Sequence, residues 1–132
     1  MENNVLKPGL TGAAHTQVTG SNVAKEMGSG DVEVFATPAM VALMEGAAIE
    51  SIKPCLKAGE TSVGVRIDVS HLAATPIAMK IRAEATLEKV DGRRLFFHVA
   101  AYDDKEKIGE GNHERVIVQR DRFLAKAQAK GS

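Results

Sequence analysis

One stretch of apolar residues in the first half of the chain restricts the fold more than any other feature. The range Ala36–Ile49 reads ATPAMVALMEGAAI, which is rich in helix formers. Thr37-Pro38 is a good start signal, because threonine can cap a helix and proline is tolerated in its first turn. We expect a helix over about 38–53 that ends near Pro54. Since it has almost no polar face, other parts of the protein must cover it on most sides.

Beyond residue 60 the apolar side chains alternate with polar ones, which is typical of half-buried strands. One such run covers Val63–Val69 and the next covers Ile77–Glu88. Asp91-Gly92 stands between the second run and Leu95–Val99 and predicts a hairpin with both residues in the turn. A last strand is expected to end near Gln119. The second half is therefore predicted to be an antiparallel meander.

Together the two halves predict one α+β domain over 1–132, with a tail at about 121–132. A curved antiparallel sheet is expected to wrap the long central helix. Residues 10–34 are expected to add a further strand and a short helical turn at about 22–27.

Composition argues against several classes of function. The 17 basic and 17 acidic residues cancel, and the 4% aromatic content offers little base stacking, so nucleic acid is not an expected partner. The single cysteine, Cys55, excludes an internal disulfide and favours a cytoplasmic setting. No apolar run is long enough to predict a membrane span, and no metal motif can be built around His113.

Two residues invite a functional interpretation. Glu45 is the only charged residue of the apolar stretch, so it is either paired within a site or directed to solvent through a gap in the wrap. His71 follows a predicted strand and begins a turn, a position at which functional side chains are common and solvated ones more common still.

Three strings are specific enough to suggest a family. ATPAMVALME at 36–45, TSVGV at 61–65 and VSHLAATP at 69–76 resemble the fluoroacetyl-CoA thioesterase-like family, which has the hotdog fold. The likeness runs from about Glu26 to Val118 and includes DGRR at 91–94 and GNHER at 111–115. It implies hydrolysis of an acyl-CoA thioester with a small or short acyl group. No cofactor is implied besides the coenzyme A of the substrate.

The resemblance also implies site residues. The catalytic set would be Thr37, Glu45 and His71. Gly64 would lie beside the acyl group and Arg115 would contact coenzyme A. The backbone amides of Ala39 and Met40, at the positive end of the helix, are expected to bind the thioester oxyanion.

The spacing of the catalytic set has a consequence for assembly. Thr37 and Glu45 lie eight residues apart, by subtraction, which spans about 12 Å along a helix. If both serve one site, they must come from different subunits, and we expect a homodimer with its sites at the interface. The alternative is that Thr37 only caps the helix.

The sequence also allows other hypotheses for the role of Glu45 and for the class of protein. Glu45 could act as nucleophile or as general base. A non-catalytic hotdog dimer that binds acyl-CoA or another small amphipathic ligand is the rival class. A hotdog hydratase is less supported, because Ala36 and Ala73 stand where an Asp-x4-His pattern would need histidine after Asp31 and Asp68.

Overall fold

The computed structural model describes residues 5–131 and shows one long helix packed on a five-stranded antiparallel sheet. The strands are β1 (Thr11–Gln17), β2 (Glu60–His71), β3 (Lys80–Asp91), β4 (Arg94–Tyr102) and β5 (Lys107–Gln119). The helices are α1 (Ala24–Met27), α2 (Thr37–Ile52) and α3 (Arg120–Ala129). The predicted α+β class is confirmed. The ends of the predicted domain, residues 1–4 and Ser132, lie outside the described residues.

Helix α2 lies within one residue of its predicted bounds, and Lys53–Cys55 follow it as a 3-10 turn around Pro54. Its core side is fully buried and comprises Met40, Met44, Ala47, Ala48 and Ile52. On β1, Gly12 lets this helix approach closely, because a Cβ there would overlap the backbone of Ala47 and Ser51.

The sheet covers only one side of α2. On the other side Val41 and Glu45 are half-buried, and Ala42 and Ile49 are exposed. The cover that this apolar helix requires is therefore incomplete within the described part of the chain.

The strand order is β1-β3-β4-β5-β2. Strands β3, β4 and β5 form a meander, but β2 pairs with β5 at the far edge, from Glu60↔Gln119 to His71↔Gly109. The predicted meander is therefore wrong for β2. Residues 72–79 connect β2 to β3 across about 14 Å, three strand spacings, which eight extended residues can easily span. Alternation of side chains along each strand carries no information about this order.

The hairpin predicted between β3 and β4 is confirmed, but its turn is shifted by one residue. Asp91 pairs with Arg94, so the two turn positions are Gly92 and Arg93. Gly92 has a φ of +62° and Arg93 does not have a positive φ. Glycine at the first position of a two-residue loop is typical of a type II′ turn, which suits the twist of the strands.

Strand β3 begins at Lys80, later than the alternation predicts. Ile77 is exposed and Ala78 has a φ of +88°, so these two residues form a turn before the strand. From there the predicted alternation is confirmed by the buried side chains Ile81, Ala83, Ala85 and Leu87.

The remaining helices are short. Helix α1 and strand β1 confirm the prediction for residues 10–34. Helix α3 occupies most of the predicted tail at 121–132 and has no buried residues, and the Gln119 side chain accepts a hydrogen bond from the Asp121 amide at its start. Within the described residues no helix is long and apolar enough to cross a membrane.

Candidate active site

The first cluster of predicted site residues lies at the beginning of α2. The Thr37 hydroxyl is 2.7 Å from Nδ1 of His71, which stands at the end of β2. Ala36, not Thr37, is the N-cap, and it makes no side-chain capping hydrogen bond. The interpretation of Thr37 as a plain cap is therefore wrong, since its hydroxyl contacts the histidine instead.

His71 is held in an environment that favours its neutral form. Burial lowers the pKa of His71, and the nearby Ala73 backbone opposes this only in part. Its Nε2 is buried and has no hydrogen-bond partner among the described residues. The pair borders a cavity of about 310 Å³ formed by the segments 24–35 and 71–74. A neutral imidazole at such a cavity can take up a proton.

The second cluster surrounds Glu45 in the middle of α2. Its Oε2 lies 3.3 Å from Nη1 of Arg115 and 3.9 Å from Nε2 of His113. The Glu45 side chain is 38% exposed and borders a cavity of about 220 Å³ beside β2. Both interpretations of Glu45 thus apply in part, because it is paired and also reaches an opening.

Arg115 enters this cluster from β5. Its Nε donates to the Ser62 hydroxyl at 2.8 Å, and its Nη2 donates to the Ser62 carbonyl at 3.0 Å. Burial lowers the pKa of Arg115, whereas the charge of Glu45 raises it, and a guanidinium stays protonated under these conditions. The guanidinium lies inside the protein beside Glu45. The contact with coenzyme A that the resemblance implies for it stays a prediction.

Gly64 lies directly against the Glu45 carboxylate. A Cβ at this position would stand 2.5 Å from Oε2 of Glu45 and 3.3 Å from Nη1 of Arg115. Next to it, the pairing of β2 with β5 shifts register between Gly64 and Arg66, which is a bulge. The glycine therefore makes room for the carboxylate at an irregular point of an edge strand.

The two predicted oxyanion donors are the backbone amides of Ala39 and Met40, and they differ in whether a helical hydrogen bond already uses them. The Met40 amide donates to the Ala36 carbonyl at 3.0 Å, the first hydrogen bond of the helix, so the role predicted for it lacks a free donor. The Ala39 amide would need the Phe35 carbonyl as its helical acceptor, and no such hydrogen bond forms. Ala39 keeps its oxyanion role as a prediction.

Sequence reasoning missed two residues of the second cluster, Ser62 and His113. The sequence marks His113 only as one of four histidines with acid/base chemistry and no metal motif, whereas its side chain is 1% exposed beside Glu45. The signal was available, because His113, Arg115 and Ile117 alternate along β5 and share the face that looks at α2. Among the described residues no group of three or more His, Cys, Asp and Glu side chains could hold a metal ion.

The two clusters stay apart within one chain. They contain the start and the middle of α2, separated by about 12 Å along the helix axis. The structure thus joins Thr37 with His71, and Glu45 with Arg115, but it does not join the first pair with the second.

A long helix on a five-stranded antiparallel sheet, with these polar side chains along the helix, is the architecture of the hotdog thioesterases. Residues 18–121 match the family described as fluoroacetyl-CoA-specific thioesterase. The chain is 45% identical over 98 residues to the fluoroacetyl-CoA thioesterase of Streptantibioticus cattleyicolor, covering 74% of this chain and 70% of that protein. This chain therefore belongs to the fluoroacetyl-CoA-specific thioesterase family, as the resemblance predicts.

Solved structures agree with this assignment. A threonine-to-serine variant of the fluoroacetyl-CoA thioesterase in complex with acetyl-CoA is 34% identical, with a TM-score of 0.89 and coverage of 96% of this chain and 100% of that one. A hot-dog-like protein from Thermanaerovibrio acidaminovorans is 25% identical, with a TM-score of 0.84 and coverage of 95% and 93%. The predicted hotdog fold is confirmed.

Proposed function

We propose that this protein hydrolyses acyl-CoA thioesters with small acyl groups at a site formed by two copies of the chain. Thr37 and His71 of one copy would face Glu45 and Arg115 of the other. The observation that carries this proposal is the separation of two incomplete polar clusters along a single helix. Each dimer would hold two equivalent sites.

The surface around the second cluster supports this assembly. Among residues 5–131, strand β2 pairs only with β5, so its other edge is open there. Val65 and Ile67 on this strand are 47% and 40% exposed, and Ile49 on the uncovered side of α2 is 39% exposed. An open edge and an apolar helix face next to one another are features that a second copy can cover.

Glu45 is the group proposed to act on the thioester. As nucleophile, its carboxylate attacks the carbonyl carbon, forms a mixed anhydride and expels the coenzyme A thiolate. As general base, it takes a proton from the water that attacks the same carbon. Arg115 holds the carboxylate in place by the 3.3 Å contact in either case.

His71 completes the proton transfers in the anhydride route. In its neutral form it can take a proton from the water that cleaves the anhydride, and it can then pass that proton to the thiolate. Thr37 keeps the imidazole in position through its hydroxyl. The Ala39 amide, at the positive end of α2, would stabilise negative charge on the carbonyl oxygen. The products are the free acid and coenzyme A.

Release of free thiol from a panel of acyl-CoAs tests this proposal. Glu45→Gln and His71→Ala should each lower kcat by about 10²–10⁴-fold, because each removes a proton-transfer group or the nucleophile. Glu50→Gln and His98→Ala are the matched controls. Glu50 is exposed and pairs with Lys53 at 3.5 Å, and His98 lies on β4 away from both clusters.

Two results would contradict the proposal. Wild-type turnover in Glu45→Gln and His71→Ala would remove these residues from the mechanism. Thermal stabilisation by acyl-CoAs without any thiol release would instead identify a ligand-binding dimer.

The panel also decides the acyl group. The chain is 45% identical over 98 residues to a fluoroacetyl-CoA thioesterase, and a structural relative binds acetyl-CoA, so acetyl-CoA and its halogenated and short-chain analogues are the first substrates to compare. Cys55 is a free thiol, which agrees with the cytoplasmic setting we expect.

A further inference from the structure

His113 is a buried titratable group for which the mechanism above has no use. Its side chain is 1% exposed, and its ring stacks on Phe97 with a centroid distance of 6.0 Å. Its Nδ1 lies 2.7 Å from the Arg66 carbonyl oxygen. A carbonyl can only accept a hydrogen bond, so Nδ1 carries the proton.

The other ring nitrogen has the opposite role. Nε2 of His113 lies 3.2 Å from Nη1 of Arg115, and a guanidinium can only donate. Nε2 therefore presents a lone pair, and the ring is neutral. Burial lowers the pKa of His113, the Arg66 carbonyl raises it, Arg115 lowers it, and Glu45 and Glu114 raise it, with a net decrease.

The Arg115 guanidinium is held by acceptors on three elements. Nε and Nη2 donate to Ser62 on β2, and Nη1 lies within reach of Glu45 on α2 and of His113 on β5. Nη1 has two N–H groups, one for each of these acceptors. Without the acceptor on His113, one donor in a buried place loses its partner, and the guanidinium can turn away from Glu45.

We propose that His113 is a positioning residue that acts as the neutral Nδ1–H tautomer and keeps Arg115 directed at the Glu45 carboxylate. Because its side chain is 1% exposed, we place its action on Arg115 and not on the substrate. This inference rests on the proposed function of Glu45 and adds a residue that holds the geometry of its partner.

Two substitutions at His113 test the roles of its two ring nitrogens separately. His113→Asn keeps a donor near the Arg66 carbonyl and removes the acceptor for Arg115, whereas His113→Gln places an amide oxygen near the former Nε2 position. We expect kcat to fall by about 10–100-fold in the Asn variant, the effect of one hydrogen bond to a charged group, and by less than about 5-fold in the Gln variant. KM should change little in both.

The melting temperatures of the two variants serve as the control for a merely structural role. If the Asn and Gln variants lose the same fraction of kcat, or if the Asn variant retains full activity, the positioning role is overturned. A difference in kcat between two variants of similar melting temperature supports it.

A measurement on the wild-type protein separates this inference from the proposed function and needs no folded variant. Nitrogen-15 NMR of the His113 ring should show the neutral Nδ1–H tautomer, and the ring should not become protonated as the pH falls through its ordinary pKa of about 6.5. The charged groups that face the ring are Glu45 from α2 and Arg115 and Glu114 from β5, while the Arg66 carbonyl faces it from β2.

An Nε2–H tautomer or an imidazolium at neutral pH would overturn the inference even in an active enzyme. Conversely, an inactive wild-type protein with the expected tautomer would refute the proposed function and leave the contact between His113 and Arg115 in place.

Discussion

At the scale of single residues, the site depends on how closely Gly64 and Glu45 approach. The carboxylate occupies the space where any other residue would have its Cβ. A glycine usually weakens the strand that contains it. The glycine at position 64 is explained by the Glu45 carboxylate that lies against it.

Gly64→Ala should therefore displace Glu45 from Arg115 and lower kcat by about 10-fold or more, because small misplacements of a reacting group have large effects on rate. Steady-state kinetics with the best acyl-CoA of the panel measure the effect. Gly20→Ala is the matched control, since a Cβ at Gly20 meets nothing within 4 Å. Unchanged kinetics in Gly64→Ala would show that the carboxylate adjusts freely.

At the scale of secondary-structure elements, the contact of α2 with β1 decides whether the helix can sit on the sheet. Gly12→Ala should destabilise the protein by about 1–3 kcal/mol, because a Cβ there overlaps backbone atoms of the helix that cannot move independently.

Gly46→Ala should instead stabilise the protein by up to about 1 kcal/mol, because the new Cβ would be 3.7 Å from that of Ala14 and alanine favours the helix. Chemical denaturation measures both, and a stabilising effect of Gly12→Ala would contradict the close packing described above.

The elements were largely predictable and their arrangement was not. The bounds of α2 follow from Pro38 in its first turn and from Pro54 just beyond its end, which are local properties of the chain, although Thr37 does not cap the helix as predicted. The place of β2 beside β5 depends on a long-range pairing that no local pattern encodes. Likewise, the turn between β3 and β4 was predicted to lie at Asp91-Gly92, but pairing of Asp91 with Arg94 moved it by one residue.

The residues of the candidate site also divide into those that the sequence predicts and those that only the folded structure identifies. Glu45 stands out in the sequence because it is the one charge in an apolar helix, and the resemblance to a family adds Thr37 and His71. Ser62 carries no such mark, and it reaches Arg115 only because β2 and β5 are neighbours. His113 contacts Arg115 because the two residues lie two positions apart on one face of β5, an alternation that the sequence does contain.

At the scale of the whole molecule, each chain holds two polar clusters that do not meet within it and that we propose to be halves of an active site. The uncovered side of α2 and the open edge of β2 lie around the second half, at Glu45, Val65 and Ile67. The proposed function therefore requires a dimer, which would complete each site and cover the exposed side of α2.

A mixed dimer tests this central claim most directly. Glu45→Gln and His71→Ala chains with different affinity tags would be produced together, and dimers carrying both tags would be purified. Such a dimer has one site with both wild-type halves and one with neither, so it should show about half of the wild-type thiol release per dimer. The two single-variant dimers are the controls and should be nearly inactive. A mixed dimer as inactive as these controls would contradict the account, because it would mean that Glu45 and His71 must belong to the same chain.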